Sequence, residues 1–393
     1  MANVKKNKIL FLPAWYPNRT NLSVGSFIRS HAEAINCSVA VDVLHVCGDE
    51  KLAQLYHFEK SNVNGIDTYI LYFKKPVSKH PIVQFFKACL YVFGQFYGYY
   101  QYRKINRRPI FFHVHVLTRA AILPFSLKLF GVNIAYFITE HWSRYLPQDN
   151  SYRGFFRKMI TKLVVRQSKG ITSVSENLKF YMKHHGLNHR NFKVISNVSQ
   201  DLFFKEKIGQ YSTKNHFVHV SNFAANCKNV TGILEAFKLL HNEGLSFSLT
   251  MVGDGDEFEL AKERAIALGL NEVLFTGFLY GEIVVDRIVE AEALILFSNY
   301  ETQSVVVTES LSLGVPVVAT KVGGVPEMVD ESNGILVAPN DVQALAKAIK
   351  QIITGEVKFD SELIRSQAAE KFKSDVIAEK FIEFYQDGGI GKF

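Results

Sequence analysis

The sequence has few cysteines and no secretory signal. Its four cysteines are scattered, at positions 37, 47, 89 and 227, without the spacing of a metal site or a redox motif. Lysines precede the first apolar run, "ILFLPAW", but that run is too short for a signal peptide and has no small-residue cleavage site. These absences predict a protein of the reducing cytosol.

The chain also has no uninterrupted apolar run of the length that crosses a bilayer. Residues 80–109 form a long aromatic stretch, but Gln84, Lys87 and Gln95 interrupt it. A spanning helix needs about 20 predominantly apolar residues. The stretch therefore favours a core helix. A membrane-surface role for its aromatic and basic residues is the minority interpretation.

Signatures of nucleic-acid binding are missing as well, although the net charge is +8. We find no helix-turn-helix, zinc-finger or aromatic RNA-binding motif. The charge is unevenly divided: up to Lys205 there are 29 Lys and Arg against 10 Asp and Glu, and beyond it 16 against 27. The two halves are therefore expected to meet different partners, the basic half an anionic membrane or a phosphorylated substrate.

Short apolar runs alternate with amphipathic stretches along the chain of 393 residues. Such runs are typical of buried parallel strands joined by crossover helices, and this length favours two domains. We predict an α/β fold of two doubly wound, Rossmann-like domains, residues 1–203 and 204–373, facing a central cleft. Residues 374–393 should form a helix that crosses back to the first domain. The polar segment "SQDLFFKEKIGQYSTKNH" is the expected linker. In such sheets ligands bind beyond the carboxyl ends of the strands.

The stretch "NYETQSVVVTESLSLG" follows a predicted strand and places two glutamates in an apolar setting. A helix beginning near Thr302 to Ser304 would end at Gly314 and leave its first amides free for an anion or for sugar oxygens. Glu301 and Glu309 would border the same pocket, where carboxylates suit the vicinal diols of a sugar nucleotide. The alternative is that Glu301 caps the helix and Glu309 lies on its solvent face.

Residues 218–341 resemble the C-terminal domain of the family 4 retaining glycosyltransferases, which have the GT-B fold. The resemblance rests on "HVSNFAANCKNVTGILEAF", "MVGDGDEFELAKERAIALGLNEVLFTGF", "ALILFSNYETQSVVVTESLSLGVPVVATKVGGVPEMV" and "NGILVAPND", in the order and spacing of the family. In the first half, "WYPN", "VGSFIRSHAEAI", "FFHVHV", "ITEHW", "TSVSENLKFYM" and "VISNVSQDLF" are similar to the more variable acceptor domain.

The resemblance implies a role for each matching residue in the donor site. Glu309 would bind the ribose hydroxyls, and Lys228 would neutralise the pyrophosphate as the glycosidic bond breaks. The donor sugar would be held by Glu301 together with the amides of Thr302, Gln303 and Ser304. The nucleobase would contact the backbone of Phe278 and Leu279, for which plain packing at a strand end is equally compatible.

One position departs from the family pattern. A second phosphate ligand, an arginine, is usual near "HVSNF", and Asn222 stands there instead. Arg29 could replace the missing charge from across the cleft, on a helix that begins near Gly25. That glycine would permit close approach of the backbone to a phosphate. An ordinary turn and a surface arginine are the alternatives for these two residues.

His141 in "ITEHW" resembles a family histidine near the donor sugar and is the catalytic histidine candidate. His113 and His115 fall on one face of a strand, but two histidines do not make a zinc site. We expect no metal and no other cofactor, because the aspartate-x-aspartate metal site belongs to the other glycosyltransferase fold.

The sequence therefore predicts a retaining hexosyltransferase that moves a sugar from a UDP- or GDP-linked donor to an acceptor hydroxyl. The expected setting is the assembly of surface polysaccharide, lipopolysaccharide or glycolipid, in the cytoplasm or on the inner face of the membrane. The expected partners are the nucleotide sugar and a saccharide or lipid-linked acceptor. A sugar-phosphate synthase or phosphorylase of the same fold, or a non-catalytic sugar-nucleotide-binding protein, is the alternative.

Overall fold

A computed structural model describes residues 8–205, 213–225 and 227–391. Residues 206–212, which belong to the predicted linker, lie outside the described residues. The strands fall into two sheets, one of eight strands and one of six. This confirms the predicted α/β class with two doubly wound sheets.

The first sheet has the order β3-β4-β2-β1-β5-β6-β7-β8. Seven of its strands pair in parallel, and β1, β5 and β7 are buried along their whole length, as expected for strands covered on both faces. The strands are β1 (Ile9–Pro13), β2 (Val41–Asp49), β3 (Tyr56–Val63), β4 (Ile66–Lys74), β5 (Phe111–His115), β6 (Ala135–Glu140), β7 (Gly170–Ser173) and β8 (Phe192–Val194).

One edge strand of the first sheet departs from the parallel pattern. Strand β3 runs antiparallel to β4, and Asn64 and Gly65 form the two-residue turn between them, both with positive φ. Asn-Gly is the preferred dipeptide for a hairpin turn of this kind, because both central residues need φ above zero. The strand was missed because its residues are polar and half-exposed.

Two layers of helices cover the first sheet. One side carries α2 (Pro81–Ile105), α3 (Leu117–Ala120), α4 (Ile122–Leu129), α5 (Phe155–Gln167) and α6 (Glu176–His184), whose apolar residues share one core cluster. The other side carries α1 (Ser26–Asn36), which packs against the C-terminal helix of the chain. The stretch predicted as a core helix is α2, and no helix in the described part of the chain is long and apolar enough to cross a membrane.

The second sheet is wholly parallel, with the order β11-β10-β9-β12-β13-β14. Its strands are β9 (His216–Ser221), β10 (Ser248–Gly253), β11 (Val273–Gly277), β12 (Ala293–Leu296), β13 (Val317–Thr320) and β14 (Gly334–Val337). Its helices are α7 (Val230–Asn242), α8 (Phe258–Ala267), α9 (Glu282–Val289), α10 (Val305–Ser312), α11 (Val342–Ile353) and α12 (Ser361–Phe372). The last helix, α13 (Ser374–Asp387), lies on α1 of the first domain.

Candidate active site

The candidate residues follow the carboxyl ends of strands in both sheets. Lys228 lies just before α7, in the connection that leaves β9, and Glu301 lies between β12 and α10. In the first domain, His141 directly follows β6. Parallel strands bring such connections to one edge of each sheet, which is where ligands of doubly wound folds bind.

Lys228 and Glu301 form a buried ion pair. Their side chains are only 14% and 10% exposed, and Glu301 also accepts a hydrogen bond of 2.9 Å from the hydroxyl of Ser298. Burial alone would lower the pKa of Lys228, but the carboxylate of Glu301 raises it above its ordinary value. The lysine is therefore charged at any physiological pH. A charged ammonium held in a site of low dielectric is suited to a developing phosphate charge.

The helix after Glu301 begins where the sequence predicts. Ser304 is the N-cap of α10, and Gly314 follows the C-cap with a φ of 76°. The helix places Glu309 in its second turn, half-buried. Burial raises the pKa of Glu309 to about 8, so most molecules carry a neutral carboxyl at pH 7. This result argues against the alternative of a fully solvated glutamate.

Gly323 and Gly324 of the same motif pack directly against the backbone of the Glu301 loop. A Cβ on Gly323, whose φ is 53°, would lie 1.6 Å from the carbonyl oxygen of Glu301. A Cβ on Gly324 would lie 2.3 Å from the carbonyl oxygen of Thr302. Real Cβ atoms do not approach an oxygen so closely, so both glycines are needed for the loop to lie where it does.

Asn222 lies exposed just beyond the end of β9. Its carbonyl oxygen would be 1.9 Å from a Cβ on Gly255, and the carbonyl of Ser221 would be 1.7 Å from a Cβ on Gly253. The glycines of "GDGDE" thus let one strand-end loop pack against another. This packing is their role in the unliganded protein.

The end of β11 presents an aromatic surface. Phe278 is 51% exposed, while Leu279 packs partly against the core of the second domain. The ring of Phe278 stacks on that of Tyr280, 74% exposed, with centroids 6.3 Å apart. Sequence reasoning named Phe278 and Leu279 for their backbone and missed Tyr280. Its signal was a tyrosine between Gly277, which ends β11, and Gly281, the N-cap of α9.

His141 belongs to a buried group of histidines. Its Nε2 lies 3.2 Å from Nδ1 of His115, and one ring nitrogen each of His31, His115 and His141 lies within 4.8 Å of the others. These three could hold a metal ion by ligand type, although His31 also contacts the carbonyl of Ser196 at 3.1 Å. The sequence indicated His113, His115 and His141 but not His31, which lies far away in the chain on α1.

The buried histidines are neutral. Burial, followed by the repulsion of His31 and His113, holds the pKa of His141 well below its usual range. His113 is occupied by other contacts, at 2.7 Å to the hydroxyls of both Thr139 and Tyr385. His141 can therefore form one hydrogen bond with a sugar hydroxyl, as donor or as acceptor, but it carries no charge at neutral pH.

Glu140, which sequence reasoning missed, shapes the loop that carries His141. Its buried carboxylate accepts hydrogen bonds from the backbone amides of His141 and Trp142, both at 2.9 Å, and of Leu117 at 3.1 Å. The hydroxyl of Tyr145 donates a fourth, at 3.2 Å. A buried carboxylate with four donors is a rigid structural anchor.

Gly25 and Arg29 occupy the start of α1. Gly25 is the N-cap, with a φ of 69°, and a Cβ there would lie 2.4 Å from the carbonyl oxygen of Trp15. The glycine thus permits close approach of another backbone segment. Arg29 lies 3.8 Å from the carboxylate of Glu33, one turn further along the helix.

Two side chains of the second domain tie the cleft together. Gln303 accepts a 2.7 Å hydrogen bond from the amide of Asn197 and donates one to the hydroxyl of Ser196. Glu327 accepts hydrogen bonds from the amides of Glu176 and Asn177, both 2.7 Å long, at the start of α6. Glutamate at a helix N-terminus satisfies free amides and the helix dipole. No local sequence signal reveals either contact, because each partner lies more than a hundred positions away.

Solved structures of known proteins share the fold of this chain. Sucrose-phosphate synthase from Thermosynechococcus elongatus superposes with a TM-score of 0.77 at 17% identity. The superposition covers 97% of this chain and 98% of the synthase. HepE of Anabaena, solved with UDP and glucose, superposes with a TM-score of 0.71 at 15% identity, covering 97% of this chain and 99% of its own. The two facing sheets are thus the GT-B fold of glycosyltransferases.

Residues 200–372, which carry the Lys228–Glu301 pair, match the model of the family described as glycosyl transferases group 1. The matched residues include the second sheet and the motifs quoted above for the resemblance. Among curated proteins, N-acetyl-alpha-D-glucosaminyl L-malate synthase of Bacillus anthracis is 26% identical over 293 residues, 70% of this chain and 74% of the relative.

Proposed function

We propose that this glycosyltransferase transfers a hexose from a UDP- or GDP-linked donor to an acceptor hydroxyl with retention of configuration. The buried Lys228–Glu301 pair is the observation that carries the proposal. It places one cation and one carboxylate beside the first amides of α10, which have no partner inside the helix. A nucleotide sugar would bring a diphosphate for the cation and hydroxyls for the carboxylate.

In the proposed reaction, the acceptor hydroxyl attacks the anomeric carbon from the face that the diphosphate leaves. The bond from that carbon to the phosphate oxygen breaks as the bond to the acceptor oxygen forms. The acceptor proton moves to the departing phosphate oxygen, so no protein base is needed. Lys228 exchanges its partner, from Glu301 to the diphosphate, and stabilises the charge that develops there. Glu301 becomes free to accept from the sugar hydroxyls.

The other residues of the site fit the rest of the donor. Glu309 would accept hydrogen bonds from the ribose, and the stacked rings of Phe278 and Tyr280 offer an exposed apolar surface near the base. His141, neutral and buried, would contact the donor sugar. The proposed reaction needs no metal, because Lys228 and the helix amides supply the positive charge. The charge of the arginine that is missing at Asn222 would be supplied by Arg29, which lies on α1 of the first domain.

We further propose that the acceptor is presented at an anionic membrane, as an intermediate of surface polysaccharide, lipopolysaccharide or glycolipid assembly. Helices α2, α4 and α5 lie on one side of the first sheet, and their outer surfaces carry many exposed apolar residues. We call this surface the aromatic face. Its exposed residues are Ile82, Phe85, Phe86, Phe93, Tyr97, Tyr100, Leu129, Phe130, Phe155, Phe156, Met159, Ile160 and Leu163.

Two features favour a bilayer as the occupant of the aromatic face. Lysines and arginines are interspersed on the same helices, including Arg103, Lys104, Arg157 and Lys162. Apolar and basic residues together suit an anionic lipid surface, where each cation contributes on the order of 1 kcal/mol. Because α2 and α5 begin at the carboxyl edge of the sheet, their first aromatic residues lie on the cleft side. A lipid-linked acceptor could thus reach the site from the inner face of a membrane.

Vesicle binding tests the membrane part of the proposal. The protein should sediment with phosphatidylglycerol vesicles, less with phosphatidylcholine vesicles, and progressively less as salt rises. Replacing Phe155 and Phe156 by serine should weaken sedimentation. The matched control is Ile266→Ser, because Ile266 is equally exposed, at 79%, but lies on α8 of the other domain. If sedimentation depends neither on anionic lipid nor on the replacement of Phe155 and Phe156, the acceptor is a soluble one.

A panel of nucleotide sugars tests the reaction itself. The true donor should raise the melting temperature, since a ligand at a hundredfold excess over Kd stabilises by about 2.7 kcal/mol. Glu309→Ala should weaken binding of both the donor and the bare nucleoside diphosphate. Glu301→Ala should spare diphosphate binding and reduce mainly turnover. Equal losses of diphosphate affinity in both variants, or no response to any nucleotide sugar, would contradict the proposal.

A further inference from the structure

The chain has two tryptophans, and the fold brings them together at the cleft edge of the first sheet. Trp15 follows the end of β1, and Trp142 follows the end of β6. Strand β5 lies between those two strands, so the two loops reach toward each other over its end. The indole centroids are 5.0 Å apart with an interplanar angle of 62°.

Both tryptophans are held rigidly by their backbones. The amide of Trp142 donates to the buried carboxylate of Glu140, which also fixes the amide of His141. The carbonyl of Trp15 lies against Gly25, where no side chain fits. The guanidinium carbon of Arg144 lies 3.3 Å from the centroid of the Trp142 ring. The pair is thus preformed. A ligand that binds a preformed site does not have to order its side chains, and the free energy of binding is not reduced by that entropy cost.

The surroundings combine apolar and polar groups. Both indoles are half-buried, so each keeps part of its surface open to solvent. His141, next to Trp142, is 5% exposed, and its Nδ1 has no hydrogen-bond partner of good geometry among the described residues. The ring of Phe27 lies 4.7 Å from that of His141. A few polar groups converging on an aromatic surface are typical of ligand sites.

The tryptophans also lie on the side of the cleft opposite the donor-sugar loop. Tyr300, which precedes Glu301, packs against the core of the first domain, and Gln303 bonds to Asn197 there. The Glu301 loop therefore closes onto the domain that carries both indoles. A sugar on the tryptophans would face a donor held by Glu301.

We propose that Trp15 and Trp142 bind one pyranose ring of the acceptor, an assignment that rests on the proposed glycosyl transfer. One face of a pyranose carries mainly C–H groups, which pack against an indole, while its hydroxyls point outward to donors and acceptors. Arg144 covers one face of the Trp142 ring, and Nδ1 of His141 offers a hydrogen bond to such a hydroxyl. The indoles thus select a cyclic sugar at the position that receives the transferred hexose.

Intrinsic fluorescence can test this directly, because both tryptophans of the chain lie in the candidate site. The full-length protein, saturated with UDP, is titrated with the methyl pyranosides of glucose, galactose, mannose, rhamnose and N-acetylglucosamine. At least one should produce a saturable change in emission, whereas the open-chain polyol sorbitol should produce none. Trp15→Phe and Trp142→Phe should each lower the affinity for that saccharide by roughly three- to tenfold. Binding is also followed by calorimetry, which does not depend on the fluorophores.

The outcomes separate this inference from the proposed function. Glu301→Gln should leave saccharide binding to the indoles intact, while donor hydrolysis falls. Saccharide binding that weakens in Trp15→Phe and Trp142→Phe but not in Ile266→Ser, on α8 of the other domain, supports the assignment. The assignment fails if no pyranoside of the panel binds, if sorbitol binds equally, or if UDP alone accounts for the fluorescence change. Saccharide binding without hydrolysis of any nucleotide sugar would instead overturn the transferase proposal.

Discussion

The carboxyl group of Glu309 should make nucleotide binding depend on pH. It is half-buried on α10, and burial raises its pKa to about 8. At pH 7 the unliganded site then holds about ten protonated carboxyls for each ionised one. Ribose hydroxyls that donate to this group favour its ionised form. Binding should therefore expel close to one proton at pH 7.

The size of the effect follows from the same pKa. Each pH unit below 8 costs about 1.4 kcal/mol to ionise the carboxyl, so the apparent Kd of the nucleoside diphosphate should fall about tenfold from pH 7 to pH 9 and then level off. Folding should show the opposite dependence. The folded carboxyl keeps its proton between about 4.5 and 8 while the unfolded one loses it, so the free energy of unfolding falls as pH rises through that window.

Calorimetry in two buffers of different ionisation heat measures the proton released. The range should begin at pH 7, because a phosphate group itself titrates near pH 6. Lys228 stays charged throughout, since its pKa is raised. Glu309→Gln should abolish the proton release and flatten the pH profile, whereas Glu301→Gln should retain both. Affinity that falls with rising pH, or binding without proton release in the wild type, would refute the assignment of Glu309 to the ribose.

Three further perturbations address the rest of the site. Lys228→Ala should lower turnover by two to three decades. Because it leaves Glu301 buried and unpaired, it should also destabilise the fold by roughly 3–5 kcal/mol. Adding Glu301→Gln should restore the melting temperature but not the rate, and a wild-type rate in Lys228→Ala would contradict the mechanism. Gly323→Ala should displace the Glu301 loop and reduce turnover; Gly269→Ala, with a similar positive φ but nothing within 4 Å of its Cβ, is the control for backbone strain. Glu327→Gln should speed amide exchange at Glu176 and Asn177 about two- to fivefold, as lost helix-dipole stabilisation requires, and unchanged exchange would mean that the contact is not maintained in solution.

Local patterns determined the secondary structure around the donor site. The N-cap at Ser304, the stop at Gly314 and the start of α1 at Gly25 all depend on residues within one helical turn. The hairpin at Asn64 and Gly65 was equally readable, because its turn chemistry is local, but its polar strand hid it. The order of motifs also predicted the fold and the family, because apolar strands and the motifs that connect them follow one another along the sequence.

Only the tertiary structure decided which distant residues share a surface. The joining of His31 to His115 and His141, the cap that Glu327 places on α6, and the meeting of Trp15 with Trp142 all link segments far apart in sequence. The pKa of Glu309 is likewise set by the packing around α10 rather than by its neighbours in the chain. Such contacts follow from how helices and sheet edges pack in three dimensions, and the periodicity of a single element carries no record of its partners.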